Sequence, residues 1–285
     1  MKISRRDFLK TTALTSLYFA GFGGIGSANA GTKKNLVIIM LRGGMDGLCA
    51  IPVKGDKNFE KLRSKINLDR TLKLTSDFDL HPALKTFKSL WDENLSAAVH
   101  ATNIPYTGRS HFDGQNLMES GGKIPYQEKT GWLGRGMKTA GLTGQGLALA
   151  LPMPLLIRGV PMNNNYFPVG RTLPYPDTLE LIKKVYKEYD EKLLSDNLEI
   201  ILTRDFNNRS RDDAWILASS AGAELSKPDG PKVAVFEVDG FDTHAAQGAT
   251  DGAHADCLSD YDNIVKSLKA SMTKEAFDNT LVLTL

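Results

Sequence analysis

The stretch Asn35-Leu36-Val37-Ile38-Ile39-Met40-Leu41 is a continuous apolar, β-branched run that stops at Arg42-Gly43-Gly44. A run with no polar alternation reads as a strand buried on both faces, and such strands belong to parallel sheets with helices packed on either side. Similar short apolar runs recur at residues 96–101, 146–151, 232–238 and 280–285. Between them lie stretches of helical period at residues 81–92, 110–120, 131–140, 178–203, 211–225 and 256–270. Strands alternating with helices predict right-handed crossovers and a single three-layer α/β domain over residues 31–285, with a mainly parallel sheet and helices on both faces. Residues 152–176, with six prolines and the run Asn163-Asn164-Asn165, are expected to form a long loop or cap over one sheet edge. The charged segment 182–194 reads as a solvated helix face. The final run, 280–285, has the look of a buried strand with no following loop, which suggests a chain truncated at its C-terminus relative to its relatives.

Composition narrows the function classes. The chain has 285 residues, 41% hydrophobic and 24% charged, so neither a disordered nor a wholly membrane-embedded protein is expected. With 35 basic against 33 acidic residues, there is no electrostatic case for nucleic-acid binding. Two cysteines exclude a disulfide-stapled scaffold and a Cys-rich zinc module.

Residues 1–30 have the order of an export signal: basic Lys2, Arg5, Arg6 and Lys10, a short Gly-broken apolar stretch, then Ala28-Asn29-Ala30. Ser4-Arg5-Arg6-Asp7-Phe8-Leu9-Lys10 resembles the twin-arginine signal, which predicts delivery of an already folded protein to the periplasm by the twin-arginine export machinery. Cleavage before Gly31 removes four basic residues and one acidic residue, leaving a net charge of −1 and no stable membrane span.

In a parallel sheet every strand delivers its carboxyl end to one edge, so loops distant in sequence converge there. Three loops qualify. In Arg42-Gly43-Gly44-Met45-Asp46-Gly47, Asp46 is either a metal ligand or the acid of an Asp-Gly turn bonding its own backbone. In Gly108-Arg109-Ser110-His111-Phe112-Asp113, Ser110 and Asp113 fit a helix capping box. The same place suits a nucleophilic hydroxyl, with Arg109 gripping a phosphoryl or sulfuryl oxygen and His111 acting as base or metal ligand. In Val238-Asp239-Gly240-Phe241-Asp242-Thr243-His244, two carboxylates and an imidazole suit a divalent ion such as Zn²⁺ or Mn²⁺ better than a plain Asp-rich turn. His254, ten positions on, is given no role. Cys49 and Cys257 follow two of these loops, and a bridge and two free thiols both remain open.

These segments, together with Leu80-His81-Pro82-Ala83-Leu84 and Gly131-Trp132-Leu133-Gly134-Arg135, resemble in order the twin-arginine-exported bacterial proteins grouped as domain of unknown function 1501. More distantly they resemble the alkaline phosphatase and sulfatase superfamily. That resemblance implies an alkaline-phosphatase-like fold, a divalent metal held by Asp46, Asp239, Asp242 and His244, and Ser110 at the nucleophile position acting on a small anionic ester. The superfamily also supplies an Asp-His pair after a strand like residues 280–285 and a further His, whereas this chain stops first. The expectation is therefore an exported metal-binding protein, a phosphate or sulfate ester hydrolase, with a non-catalytic periplasmic binding or assembly protein of the same fold as the alternative.

Overall fold

A computed structural model describes residues 33–66, 68–149, 153–165, 176–190, 192–203 and 214–285. The export segment and, within residues 152–176, positions 152 and 166–175 lie outside these described residues. The elements are β1 (Asn35–Leu41), α1 (Gly47–Ala50), α2 (Lys57–Leu62), β2 (Leu72–Lys73), β3 (Asp79–Leu80), α3 (Lys85–Asp92), α4 (His111–Ser120), α5 (Trp132–Thr139) and β4 (Gly146–Leu149). After a 3₁₀ turn at Leu155–Ile157 come β5 (Asn164–Asn165), α6 (Pro176–Glu188), α7 (Lys192–Thr203), α8 (Ala214–Ser226), β6 (Val233–Val238), α9 (Ala253–Ser271), α10 (Lys274–Asp278) and β7 (Thr280–Thr284).

Strands β5-β4-β6-β1-β7 form one sheet in that order, and each of its pairings is parallel. β1 sits between β6 and β7, with Ile38 opposite Val235 on one side and Leu283 on the other, and all seven of its residues are buried. Because successive side chains point to opposite faces, Leu36, Ile38 and Met40 pack with Leu133 and Met137 of α5 and with Leu156 and Ile157 of the 3₁₀ turn. Val37, Ile39 and Leu41 pack on the other face with Leu217 and Leu225 of α8 and Leu258 and Ile264 of α9. An α/β arrangement with a parallel sheet and helices on both faces follows directly. Each fully buried Leu, Ile or Val here contributes about 1.5–3 kcal/mol, which explains why the run admits no polar residue after Asn35.

The chain divides into two compact units, Met1–Tyr166 with Ala214–Leu285, and Phe167–Asp213. In the second unit α6 packs on α7, with Lys183 Nζ 2.6 Å from Glu199 Oε1. The single helix expected over residues 178–203 is thus two, separated where Asp190 takes a left-handed backbone with φ of 53°.

Three further expectations are corrected. Residues 96–101 form no strand: they carry no regular secondary structure, with Val99 74% exposed, so their apolar character covers no core. The helix expected from residue 81 begins only at Lys85, because His81 holds a turn in which its Nδ1 accepts from Ala83 N at 3.2 Å and its carbonyl accepts from Leu84 N. The N-terminus of α3 is then capped from a distance by the buried Asp262 of α9, which accepts from the backbone N–H groups of Thr86 and Phe87 at 2.9–3.1 Å. The strand at the end of the chain is formed, but as a half-exposed edge rather than a buried strand: β7 pairs with β1, and Leu281, Val282 and Leu283 are each exposed.

Candidate functional site

The loops after β1 and β6 lie against each other. Arg42 N donates to Val238 O at 2.8 Å and Phe241 N to Arg42 O at 3.2 Å, while the Phe241 ring is buried beneath them. Gly43, with φ of 110°, makes this approach possible: a Cβ there would lie 2.4 Å from Asp242 N, so only glycine fits. Asp242 is thereby fixed at the carboxyl edge of the sheet.

The third loop leads into α4. Ser110 caps that helix as expected, its Oγ accepting from Asp113 N at 3.2 Å, and Gly121 closes the other end in a left-handed conformation, donating to Leu117 O. His111 is the first residue of α4, and it meets the β6 loop. Its Nε2 lies 3.1 Å from Asp242 Oδ2, and His244 Nε2 lies 2.7 Å from Asp242 Oδ1. The donor atoms of His111, Asp242 and His244 all fall within 4.8 Å of one another. Neighbouring ligands of a tetrahedral Zn²⁺ at about 2.0–2.1 Å stand about 3.3 Å apart, so two imidazoles and a carboxylate at these separations suit such an ion. His111 is mostly covered, Asp242 half-exposed and His244 74% exposed, so the cluster is open to solvent on the His244 side.

Position of α4 is fixed by an ionic network that the sequence reading missed. Arg42 bonds Glu237 of β6 and, from the same nitrogen, Glu119 of α4 at 2.8 Å, while its other terminal nitrogen donates to Gln115 Oε1 at 3.1 Å. Glu119, buried, also accepts from Leu156 N at 2.9 Å. Burial works against the Arg42 charge, but Glu237 and Glu119 together raise its pKa above the usual value. Burial pushes the Glu237 carboxyl up, since it outweighs the pull of the shared guanidinium. The available signal was a glutamate inside the apolar run Val-Ala-Val-Phe-Glu-Val, a position where a charge needs a partner.

The remaining expected ligands are placed elsewhere. Asp46 caps α1 and is bonded by Arg63 of the segment after α2 and by Gln247 Nε2 at 3.0 Å. Burial opposes its charge, yet these hydrogen bonds and the Arg63 cation hold its pKa down at about 2. It is not among the clustered donors, and neither is Asp239, which is solvent-exposed. Arg109 is exposed beside Ser110. Cys49 and Cys257 are free thiols; burial raises Cys49 to about 11, and its Sγ accepts from Gln247 Nε2 at 3.2 Å.

Behind the Asp46 loop lies a second group without an assigned role. His81 Nε2 is 2.8 Å from Ala249 O, and His254, 1% exposed, sits edge-on to both His81 and Phe241. Among the described residues neither ring nitrogen of His254 has a hydrogen-bond partner, and burial lowers the pKa of both imidazoles.

Compared with known proteins, the chain matches no family model, no curated protein and no solved structure. Among the described residues no helix is long and apolar enough to cross a membrane.

Proposed function

We propose that this chain is an exported, metal-binding α/β protein of alkaline-phosphatase-like organisation that hydrolyses phosphate or sulfate esters. The observation that supports it is the convergence of His111, Asp242 and His244, from two loops distant in sequence, with Ser110 the residue that precedes His111 in the chain. His111, Asp242 and His244 would hold a divalent ion, Zn²⁺ or Mn²⁺, which would supply Lewis acidity to the developing charge on the transferred group. Ser110 is the nucleophile position: its Oγ bonds to phosphorus or sulfur as the ester oxygen leaves. The cap bond from Asp113 N occupies one lone pair of that oxygen and leaves its proton free to pass to solvent water. The leaving ester oxygen takes a proton from water, and a second water cleaves the seryl ester to release phosphate or sulfate and restore the hydroxyl. Arg109, exposed beside Ser110, is the group that would grip non-bridging oxygens of the ester. Asp242, held between two imidazoles, keeps the cluster in register with the start of α4. The twin-arginine-like signal fits this reading, since that route carries proteins folded before export.

A second reading is favoured by one specific feature. Asp46 is engaged by Arg63 and Gln247, which leaves a single three-donor cluster among the described residues, and a non-catalytic binding or assembly protein needs no more than that. Calorimetric titration of the chain from Gly31 with Zn²⁺, and turnover of 4-nitrophenyl phosphate and sulfate, separate the two. The hydrolase reading expects one ion per chain, lost in His244→Ala, and turnover abolished in Ser110→Asn. That substitution keeps a helix cap while removing the nucleophile, so its thermal midpoint stays near the parent's. Zinc binding without turnover supports the second reading, and absence of both rejects the metal site itself.

A further inference from the structure

Next to Ser110 lies a cavity of about 410 Å³, within the size range of small-molecule sites. Its walls come from four parts of the chain: Leu41 and Met45 at the end of β1 and in the loop after it, Ile104 and Tyr106 in the loop before α4, Met118 of α4, and Leu285 after β7. Leucine, isoleucine and methionine supply an apolar surface, and the two methionines adapt their shape to an irregular guest.

Two of the polar groups on these walls are already engaged within the protein. Gln115 Oε1 is taken by Arg42. The Tyr106 hydroxyl lies 3.3 Å from Asp113 Oδ2 and accepts from Ser110 N at 3.3 Å. A guest rich in hydroxyls finds neither of these groups free, and each hydroxyl left unpaired would cost about 1–3 kcal/mol. At the rim the chemistry changes. Arg109 is exposed and makes no hydrogen bond or ion pair with another described residue, and His111 stands beside it. The nearby carboxylates are both held, Asp113 by the Tyr106 hydroxyl and Asp242 by two imidazoles, so Arg109 is the cation left to meet a guest.

We infer that this cavity receives the apolar part of an organic anion, an alkyl or aromatic monoester by chemical class, with its charged group at the rim by Arg109 and His111. The inference rests on the hydrolase reading only for which bond is cleaved; binding needs the cavity and the rim alone.

Binding of 2-naphthyl phosphate, glycerol 2-phosphate and neutral 2-naphthol to the chain from Gly31, with and without Zn²⁺, tests it. The expected result is that 2-naphthyl phosphate binds at least about tenfold more tightly than glycerol 2-phosphate. Ile104→Trp fills the cavity and removes most of that preference, and Arg109→Ala weakens 2-naphthyl phosphate while leaving 2-naphthol unchanged. Circular dichroism reports whether Ile104→Trp is folded, and Met45→Trp fills the same space from the opposite wall. Equal affinities for the two phosphates, or folded filling variants that bind as the parent does, overturn the inference. A naphthyl preference that survives where no zinc binds leaves it standing and removes the hydrolase reading, whereas zinc-dependent turnover with no such preference does the reverse.

Discussion

At the scale of single residues, conformation and charge decide what each position tolerates. Gly43 combines a positive φ with a backbone 2.4 Å from where a Cβ would stand, so Gly43→Ala must separate the β1 and β6 loops. We expect a loss of about 2 kcal/mol or more in urea unfolding, together with weaker zinc binding, because Asp242 is the residue displaced. The buried imidazoles give a pH signature. His81 and His254 have folded pKa values below the ordinary 6.5 through burial, so the unfolded chain takes up more protons as the pH falls through that value. Stability is therefore full at neutral pH and declines below about 6.5. Asp46, at about 2 against 3.8, adds a second loss as the pH falls through its unfolded value towards its folded one. Urea midpoints measured from pH 8 to pH 5 should show the first decline, and His254→Phe should flatten it.

Helix α4 shows how an element is aimed. Its two ends are set locally, by the Ser110 cap and the left-handed Gly121, and the first of these was read from the sequence. Its direction is set by Glu119, in its last turn, through Arg42 and Leu156 N. Glu119→Ala leaves the Leu156 amide without its acceptor and Arg42 with Glu237 and Gln115 only, an expected loss of about 3 kcal/mol in thermal or urea unfolding. Ser110→Ala removes only a cap and should cost about 1 kcal/mol. If α4 positions His111 as argued, Glu119→Ala weakens zinc binding beyond what Ser110→Ala does, which calorimetry on the two variants resolves. Period alone could place α4 but not orient it, because the restraint on its direction is an ion pair with Arg42, 77 positions away in the chain.

For the whole molecule, the centre and the edge of the sheet should respond differently to the same truncation. Ile38→Ala removes a side chain packed in the interior and is expected to cost about 2–5 kcal/mol, whereas Val282→Ala on the half-exposed β7 should cost under about 1 kcal/mol, both read from urea midpoints. The alternation of buried strands with helical stretches was readable in residues 35–41, 146–149 and 233–238, because a strand buried on both faces must be apolar throughout. Residues 96–101 misled for the same reason in reverse: short apolar runs carry no label saying whether a core exists for them. The separate unit at Phe167–Asp213 gave no sign beyond its amphipathic period. By itself, then, the amino-acid order determined the strand and helix pattern, the caps and the set of loops able to meet at one edge, since these depend on side-chain type and near-neighbour spacing. Only the tertiary structure decided which loop residues meet. It joined His111 to Asp242 and His244, gave Asp46 to Arg63 and Gln247, and left Asp239 in solvent, because such pairings depend on distances across the sheet that no local spacing encodes.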